Sequence, residues 1–249
     1  MRILVTRPKA QADGLVNALR AEGHEPVILP LMEIVTYTDA CRQLERLHQF
    51  RHVIAISTNA AAAVWAWIDK LSLTTPPSQQ WYAIGSATHA VLAQHIAFVE
   101  QSGVAMNSES LLQHPALQQV QGEKILICRG RGGRDHLRCE LESRGASVEY
   151  CELYAREAVI HPAGTLDGIL QQGLDLITAT STETVQLLRD QAMMEGVASR
   201  LFRIPVVVPG SRVGAFARNS GFVCVAEADN AGLPSMLDTI RKTVATQHT

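Results

Sequence analysis

Ile3-Leu4-Val5-Thr6-Arg7 and Ile125-Leu126-Ile127-Cys128-Arg129 are the two stretches on which the reading of this chain turns. Each is a short apolar run closed by an arginine. A segment of helical pattern follows, and then a glycine, Gly23 in the first case and Gly145 in the second. The second run lies 122 residues after the first, and the same spacing separates Asp13 from Asp135, Leu15 from Leu137, Leu19 from Leu141 and Gly23 from Gly145. Ala12, Leu15, Val16 and Leu19 recur at helical spacing and form one apolar face. The two glycines stand where a helix closes in the left-handed conformation.

The echo continues. His52-Val53-Ile54-Ala55-Ile56-Ser57-Thr58 parallels Asp175-Leu176-Ile177-Thr178-Ala179-Thr180-Ser181 at a spacing of 123. Tyr82-Ala83-Ile84-Gly85 parallels Val207-Val208-Pro209-Gly210 at a spacing of 125, and Ser110-Leu111-Leu112 parallels Ser235-Met236-Leu237, both read as openings of late helices. Alternating strands and helices occur in any α/β protein, but a near-constant spacing with matched residue types does not follow from alternation. The pattern predicts an internal duplication and an α/β fold of two doubly wound parallel-sheet domains.

The composition narrows the function classes. The chain has 249 residues, 47% hydrophobic and 18% charged, with a formal net charge of −2. That is ample apolar material for cores and lacks the basic footprint of a nucleic-acid binder. No apolar run approaches the ~18 residues of a membrane span. Arg7 interrupts the N-terminal apolar run too early for a secretory signal. The five cysteines, Cys41, Cys128, Cys139, Cys151 and Cys224, include no C-x-x-C pair, so neither a disulfide framework nor a structural zinc site is expected. His48 and His52 are four apart, but His52 opens a strand-like run. They are read as surface histidines near a helix–strand junction, and no metal site is assigned. The whole fits a reducing cytoplasm.

In open parallel sheets, ligands bind beyond the carboxyl ends of the strands. Those positions hold Thr6-Arg7-Pro8, Ser57-Thr58, Gly85, Arg129-Gly130, Thr180-Ser181 and Gly210-Ser211, each just before a helix. Helix N-termini present unpaired N–H groups and partial positive charge, which suit an anionic ligand. One such set per domain, facing each other, would make a cleft for a polyanion. The hydroxyl residues read equally as helix caps. The loop Arg129-Gly130-Arg131-Gly132-Gly133-Arg134 is read either as an anion cradle or as a solvated basic turn. It is neither a Walker loop nor a dinucleotide fingerprint. No G-x-S-x-G elbow occurs. Tyr154 interrupts the repeat, aligning with Met32, and reads from periodicity as a core or interface residue.

Taken together, Ile3–Pro8, Arg129–Arg134 with Leu137 and Gly145, Leu153-Tyr154, Thr180-Ser181 and Ile84-Gly85-x-x-Thr88 resemble the motifs of uroporphyrinogen-III synthases, from one end of the chain to the other. The resemblance implies two domains joined by a two-strand linker: residues 1–34 plus 158–249 as one discontinuous α/β domain, residues 38–151 as the other, and linkers near 35–37 and 152–157. It implies conversion of hydroxymethylbilane to uroporphyrinogen III and water, with inversion of the last pyrrole ring through a spiro intermediate. It implies no cofactor, a small-molecule substrate rather than a nucleic acid or membrane, and a transient contact with the preceding pathway enzyme. A monomer is expected, because a two-strand linker is a slim connection and the sequence shows no exposed apolar helix stripe for self-association. Tyr154 matches the family tyrosine associated with departure of the substrate hydroxyl. Arg7, Pro8, Ser57, Thr58, Gly85, Thr88, Arg129, Gly130, Thr180, Ser181, Gly210 and Ser211 become the candidate substrate contacts. Two departures stand out: Val213 replaces Thr88 in the second repeat, and Asn59-Ala60 follows the first hydroxyl pair with no nearby arginine. The competing readings are another α/β enzyme for a polyanionic metabolite and a cytosolic two-lobe sensor.

Overall fold

The computed structural model describes residues 1–37, 42–101 and 107–247; Cys41 lies outside them. The chain opens on β1 (Arg2–Val5), α1 (Lys9–Ala21), β2 (Glu25–Ile28) and β3 (Met32–Thr36). There follow α2 (Arg42–Glu45), β4 (His52–Ala55), α3 (Thr58–Lys70), β5 (Gln80–Ala83), α4 (Ser86–Leu92), β6 (Val99–Gln101) and α5 (Ser108–Leu111). Next come β7 (Lys124–Gly130), α6 (His136–Ser143), β8 (Ser147–Ala158), α7 (Thr165–Gln171), β9 (Leu176–Thr178), α8 (Thr182–Met194) and α9 (Ala198–Leu201). The chain closes on β10 (Val206–Pro209), α10 (Gly210–Asn219), β11 (Val225–Ala228) and α11 (Leu233–Gln247).

These elements form two compact units, Met1–Glu33 with Glu157–Thr249, and Ile34–Arg156. The chain passes from one to the other within β3 and within β8, which are neighbours at one edge of a sheet. The first unit holds a five-stranded sheet in the order β11-β10-β9-β1-β2, and the second a six-stranded sheet in the order β3-β8-β7-β4-β5-β6. With β7, β8, β4, β5 and β6 written for β1, β2, β9, β10 and β11, the two orders coincide, and β3 is an extra strand at the edge of the second sheet. The registers coincide as well. Arg2 lies opposite Glu25 and Lys124 opposite Ser147, so both strands are displaced by the same 122 residues.

The third strand corrects the sequence spacing. Leu176 lies opposite Ile3, and His52 opposite Ile125, so the displacement there is 124 rather than 123. Ser57 therefore corresponds to Ser181, and not to Thr180. Matching two hydroxyls by type had shifted the pair by one residue.

Alternate residues of each strand enter opposite cores, as a sheet covered by helices on both faces requires. In the first unit Leu4, Ile177, Val206 and Val208 pack with α7, α8 and α10, while Ile3, Val5, Leu176 and Val207 pack with α1 and α11. In the second, Val53, Ala55, Trp81, Leu126 and Cys128 pack with α3 and α4, while Ile54, Tyr82, Ile125 and Ile127 pack with α5 and α6.

One expectation holds in part and another fails. Ser110 and Ser235 are each the third residue of their helices, although α5 is only a single turn. Pro115 holds His114 in extended conformation, so the chain cannot continue as one helix. His52 is not a surface residue. It is 2% exposed, with Nδ1 3.0 Å from the Tyr82 hydroxyl and Nε2 paired to Glu123. Its place on the central strand β4 buries it, and its two polar partners make that burial tolerable.

Candidate functional site

Each sheet has a point where the strand order reverses, between β1 and β9 in the first unit and between β7 and β4 in the second. A crevice opens at such a point, beyond the carboxyl ends of the strands. The sequence-predicted residues gather there unit by unit. Thr6-Arg7-Pro8, Thr180-Ser181 and Gly210-Ser211 follow the adjacent strands β1, β9 and β10, while Arg129-Gly130 closes β7, and Ser57-Thr58 and Gly85 follow β4 and β5.

In both units the middle helix is capped by a serine and its neighbour is not. Ser57 Oγ accepts from the Ala60 N–H at 3.1 Å, and Ser181 Oγ accepts from the Thr184 N–H at 3.1 Å. No side chain caps α1 behind Pro8, α4 behind Gly85 or α10 behind Pro209. Those N-termini keep N–H groups available to an anion. Thr88 and Val213 occupy the same place on α4 and α10, each 4% exposed. Their difference is thus a change inside the packing rather than at an open surface.

The two arginines differ. Arg129 is 3% exposed, and its guanidinium donates to the Gly130 carbonyl at 3.2 Å, to Asp135 at 3.3 Å and to the Gly132 carbonyl. It also lies over the Tyr150 ring at 4.3 Å. Its own loop engages it on every side. Tyr150 donates to Asp135 at 2.9 Å. Burial, and then that bond, push the Tyr150 phenol up to about 12. The same bond, ahead of Arg129, holds the Asp135 carboxyl below its ordinary range. Sequence reading missed this Tyr150–Asp135 support, although Asp135 was a landmark of the repeat. Arg7 donates to the Ala231 carbonyl, but its Nε is buried without a partner. Burial lowers its pKa from the ordinary value. An unpaired buried donor is costly and calls for a ligand or water.

Tyr154 is 5% exposed, and its hydroxyl lies 3.0 Å from Ser57 Oγ. A register irregularity in the β7–β8 pairing puts it there. Glu152 lies opposite Arg129, but Tyr154 lies opposite Gly130, so β8 carries one extra residue. Cys151 and Leu153 face the core under α3, Val148 and Tyr150 the opposite core, and Tyr154 joins the α3 side where strict alternation would send it away. The ring crosses Gly130 on its way to Ser57: a Cβ on Gly130 would sit 2.7 Å from two ring atoms. Only glycine permits this path.

Hollows among the described residues lie elsewhere. One of about 520 Å³ between Val159–Gly164 and helices α7 and α8 is lined by none of the predicted residues. One of about 340 Å³ is lined by Tyr37, Gln43, Arg131, Tyr150 and Glu152.

Two doubly wound units, uncapped helix N-termini near the strand-order reversals, and a phenol beside a serine at one of them define a doubly wound α/β protein. The comparisons give the family. The family model described as uroporphyrinogen-III synthase HemD matches residues 13–238. The uroporphyrinogen-III synthases of Salmonella typhimurium and Escherichia coli are 32% and 31% identical to the chain, each over 97% of it and 100% of the relative. Among solved structures, a mutant Thermus thermophilus uroporphyrinogen III synthase aligns with TM-score 0.67 at 15% identity, over 99% of both chains. The Helicobacter pylori synthetase aligns with TM-score 0.57 at 13% identity, over 97% of this chain and 98% of that one. These two likenesses bear on the fold. The chain belongs to the uroporphyrinogen-III synthase family, a family of cyclising lyases in porphyrin biosynthesis. The sensor and the other polyanion-binding enzyme are not favoured. Among the described residues no helix is long and apolar enough to cross a membrane.

Proposed function

We propose that this chain closes hydroxymethylbilane to uroporphyrinogen III, with Tyr154 assisting departure of the terminal hydroxyl. The supporting observation is the placement of the Tyr154 hydroxyl 3.0 Å from Ser57, across Gly130, where the strand order of its sheet reverses. The hydroxyl leaves as water, taking one proton, while the electron-rich pyrroles supply the electrons that expel it. The proton released from a pyrrole carbon when the ring closes restores the balance. A phenol is a weak acid at neutral pH, so Tyr154 works chiefly as a hydrogen-bond donor to the leaving group. Substrate carboxylates are held mainly by the N–H groups opening α1, α4 and α10, with Arg7 as a helper. Arg129 shapes the loop that carries Gly130. Folding the bilane with its reacting ends close supplies much of the acceleration. On this reading the protein acts in the cytoplasm, as a monomer and without a cofactor.

The test is incubation with enzymatically generated hydroxymethylbilane, then oxidation and separation of isomers. Spontaneous closure gives the type I isomer. Type III product supports the reading, and type I alone at the uncatalysed rate overturns it.

A further inference from the structure

We infer that Ser57 is a positioning residue for the reaction: it orders the Tyr154 hydroxyl so that the phenol's proton points to the substrate. This rests on the reading of Tyr154 given above. Ser57 Oγ has one proton and two lone pairs. One lone pair accepts from the Ala60 N–H at 3.1 Å, which ties the oxygen to the N-terminus of the thirteen-residue helix α3. The same oxygen lies 3.0 Å from the Tyr154 oxygen. Two proton arrangements fit that contact. If Tyr154 donates to Ser57, its only proton is occupied and it has none for a leaving hydroxyl. If Ser57 donates to Tyr154, the phenol proton is free, and the chain runs Ala60 N–H to Ser57 O–H to Tyr154 O–H. In that direction each bond polarises the next, and the positive end of α3 favours negative charge building on the phenol oxygen as its proton moves outward. The second arrangement is the one that serves the reaction.

Three substitutions separate capping from proton ordering. Ser57→Thr keeps both, Ser57→Asp keeps an acceptor for the Ala60 N–H but has no proton to donate, and Ser57→Ala keeps neither. A carboxylate at 57 draws the phenol proton to itself. The expected result is kcat close to wild type for Ser57→Thr, and kcat lowered about three- to tenfold, the scale of one hydrogen bond, for Ser57→Asp and Ser57→Ala. KM should move little in Ser57→Thr and Ser57→Ala, which leave the charge of the site unchanged. Ser57→Asp should melt near wild type and Ser57→Ala below it. Adding Ser57→Ala to Tyr154→Phe should cost no further turnover, because the residue acts through the phenol. Full kcat in Ser57→Asp, or losses in Ser57→Ala and Tyr154→Phe that add, would overturn the inference while leaving Tyr154 in place. Wild-type turnover by Tyr154→Phe alone would remove the reading beneath it, and the inference with it.

Discussion

The points of strand-order reversal in the two units share a layout and differ in content. Both are flanked by a serine that caps the following helix, and both adjoin a helix opening that no side chain caps. In the first unit the β1–β2 register runs without interruption, Thr6 and Thr178 donate to each other's strand backbone, and Arg7 keeps a buried unpaired nitrogen. In the second, β8 carries one extra residue, and the phenol of Tyr154 reaches Ser57 across Gly130. One layout thus offers a cation and the other a proton donor. A single bulge and a single glycine make the difference, with the strand order unchanged.

The largest expected effect comes from closing the path of the ring. In Gly130→Ala the new Cβ would lie 2.7 Å from Tyr154, so either the ring or the strand must move. Overpacking of this kind costs about 1–3 kcal/mol of stability. Turnover should fall at least as far as in Tyr154→Phe, because the phenol leaves its place and the backbone beside it shifts as well. Thermal melting and isomer-resolved kinetics measure the two parts, and normal kinetics would show that the ring's position is irrelevant. Tyr154→Phe comes next. The ring and its packing stay, so the fold should change by about 1 kcal/mol at most, for the bond to Ser57. Because the pyrroles drive ionisation, turnover should fall by less than the ~10² at which general acid catalysis begins, with type III product still made.

Much of this comparison was readable before the structure. The repeated runs at Ile3 and Ile125 located β1 and β7, and the spacing of 122 carried over unchanged into the registers of both strand pairs. The candidate residues fell at the carboxyl ends of adjacent strands because the alternating pattern dictates where strands end. The bulge was not readable. It depends on how β8 pairs with β7, and a register irregularity leaves no trace in the order of residue types. Tyr154 therefore showed itself only as a break in the repeat. The unequal roles of Arg7 and Arg129 were hidden for a related reason. Both close an apolar run at the carboxyl end of a strand, and only the fold brings Tyr150 and Asp135 to one of them.

That inequality gives a smaller effect to measure. Arg7→Ala should weaken substrate binding by roughly 1.5 kcal/mol, the low end for a charge-assisted bond, because backbone N–H groups share the load. The fold should be little disturbed. Arg129→Ala should register instead in the melting temperature, since it leaves the carbonyls of Gly130 and Gly132 without their donor. Binding measured by calorimetry with the substrate carboxylates intact distinguishes the two. Loss of all binding in Arg129→Ala, with the fold intact, would reverse the assignment.

The smallest effect concerns the two capping serines. Removing a serine cap costs about 1 kcal/mol, so Ser57→Ala and Ser181→Ala would be equal if capping were all that either did. They have different second partners. Ser181 Oγ lies 2.9 Å from the hydroxyl of Thr184, which is 4% exposed. Truncating Ser181 therefore also strands a buried hydroxyl, and that adds roughly a further 1 kcal/mol. Ser57 has the Tyr154 hydroxyl instead, at the strand-order reversal where a ligand or water can replace the lost partner. Ser181→Ala should accordingly be the more destabilising of the two in urea unfolding, by about 1 kcal/mol or less, with similar m-values. The opposite ranking would mean that the Ser57–Tyr154 bond holds the fold together. Tyr154 would then be a packing residue that happens to lie at a reversal point, and the two units would differ in architecture rather than in chemistry.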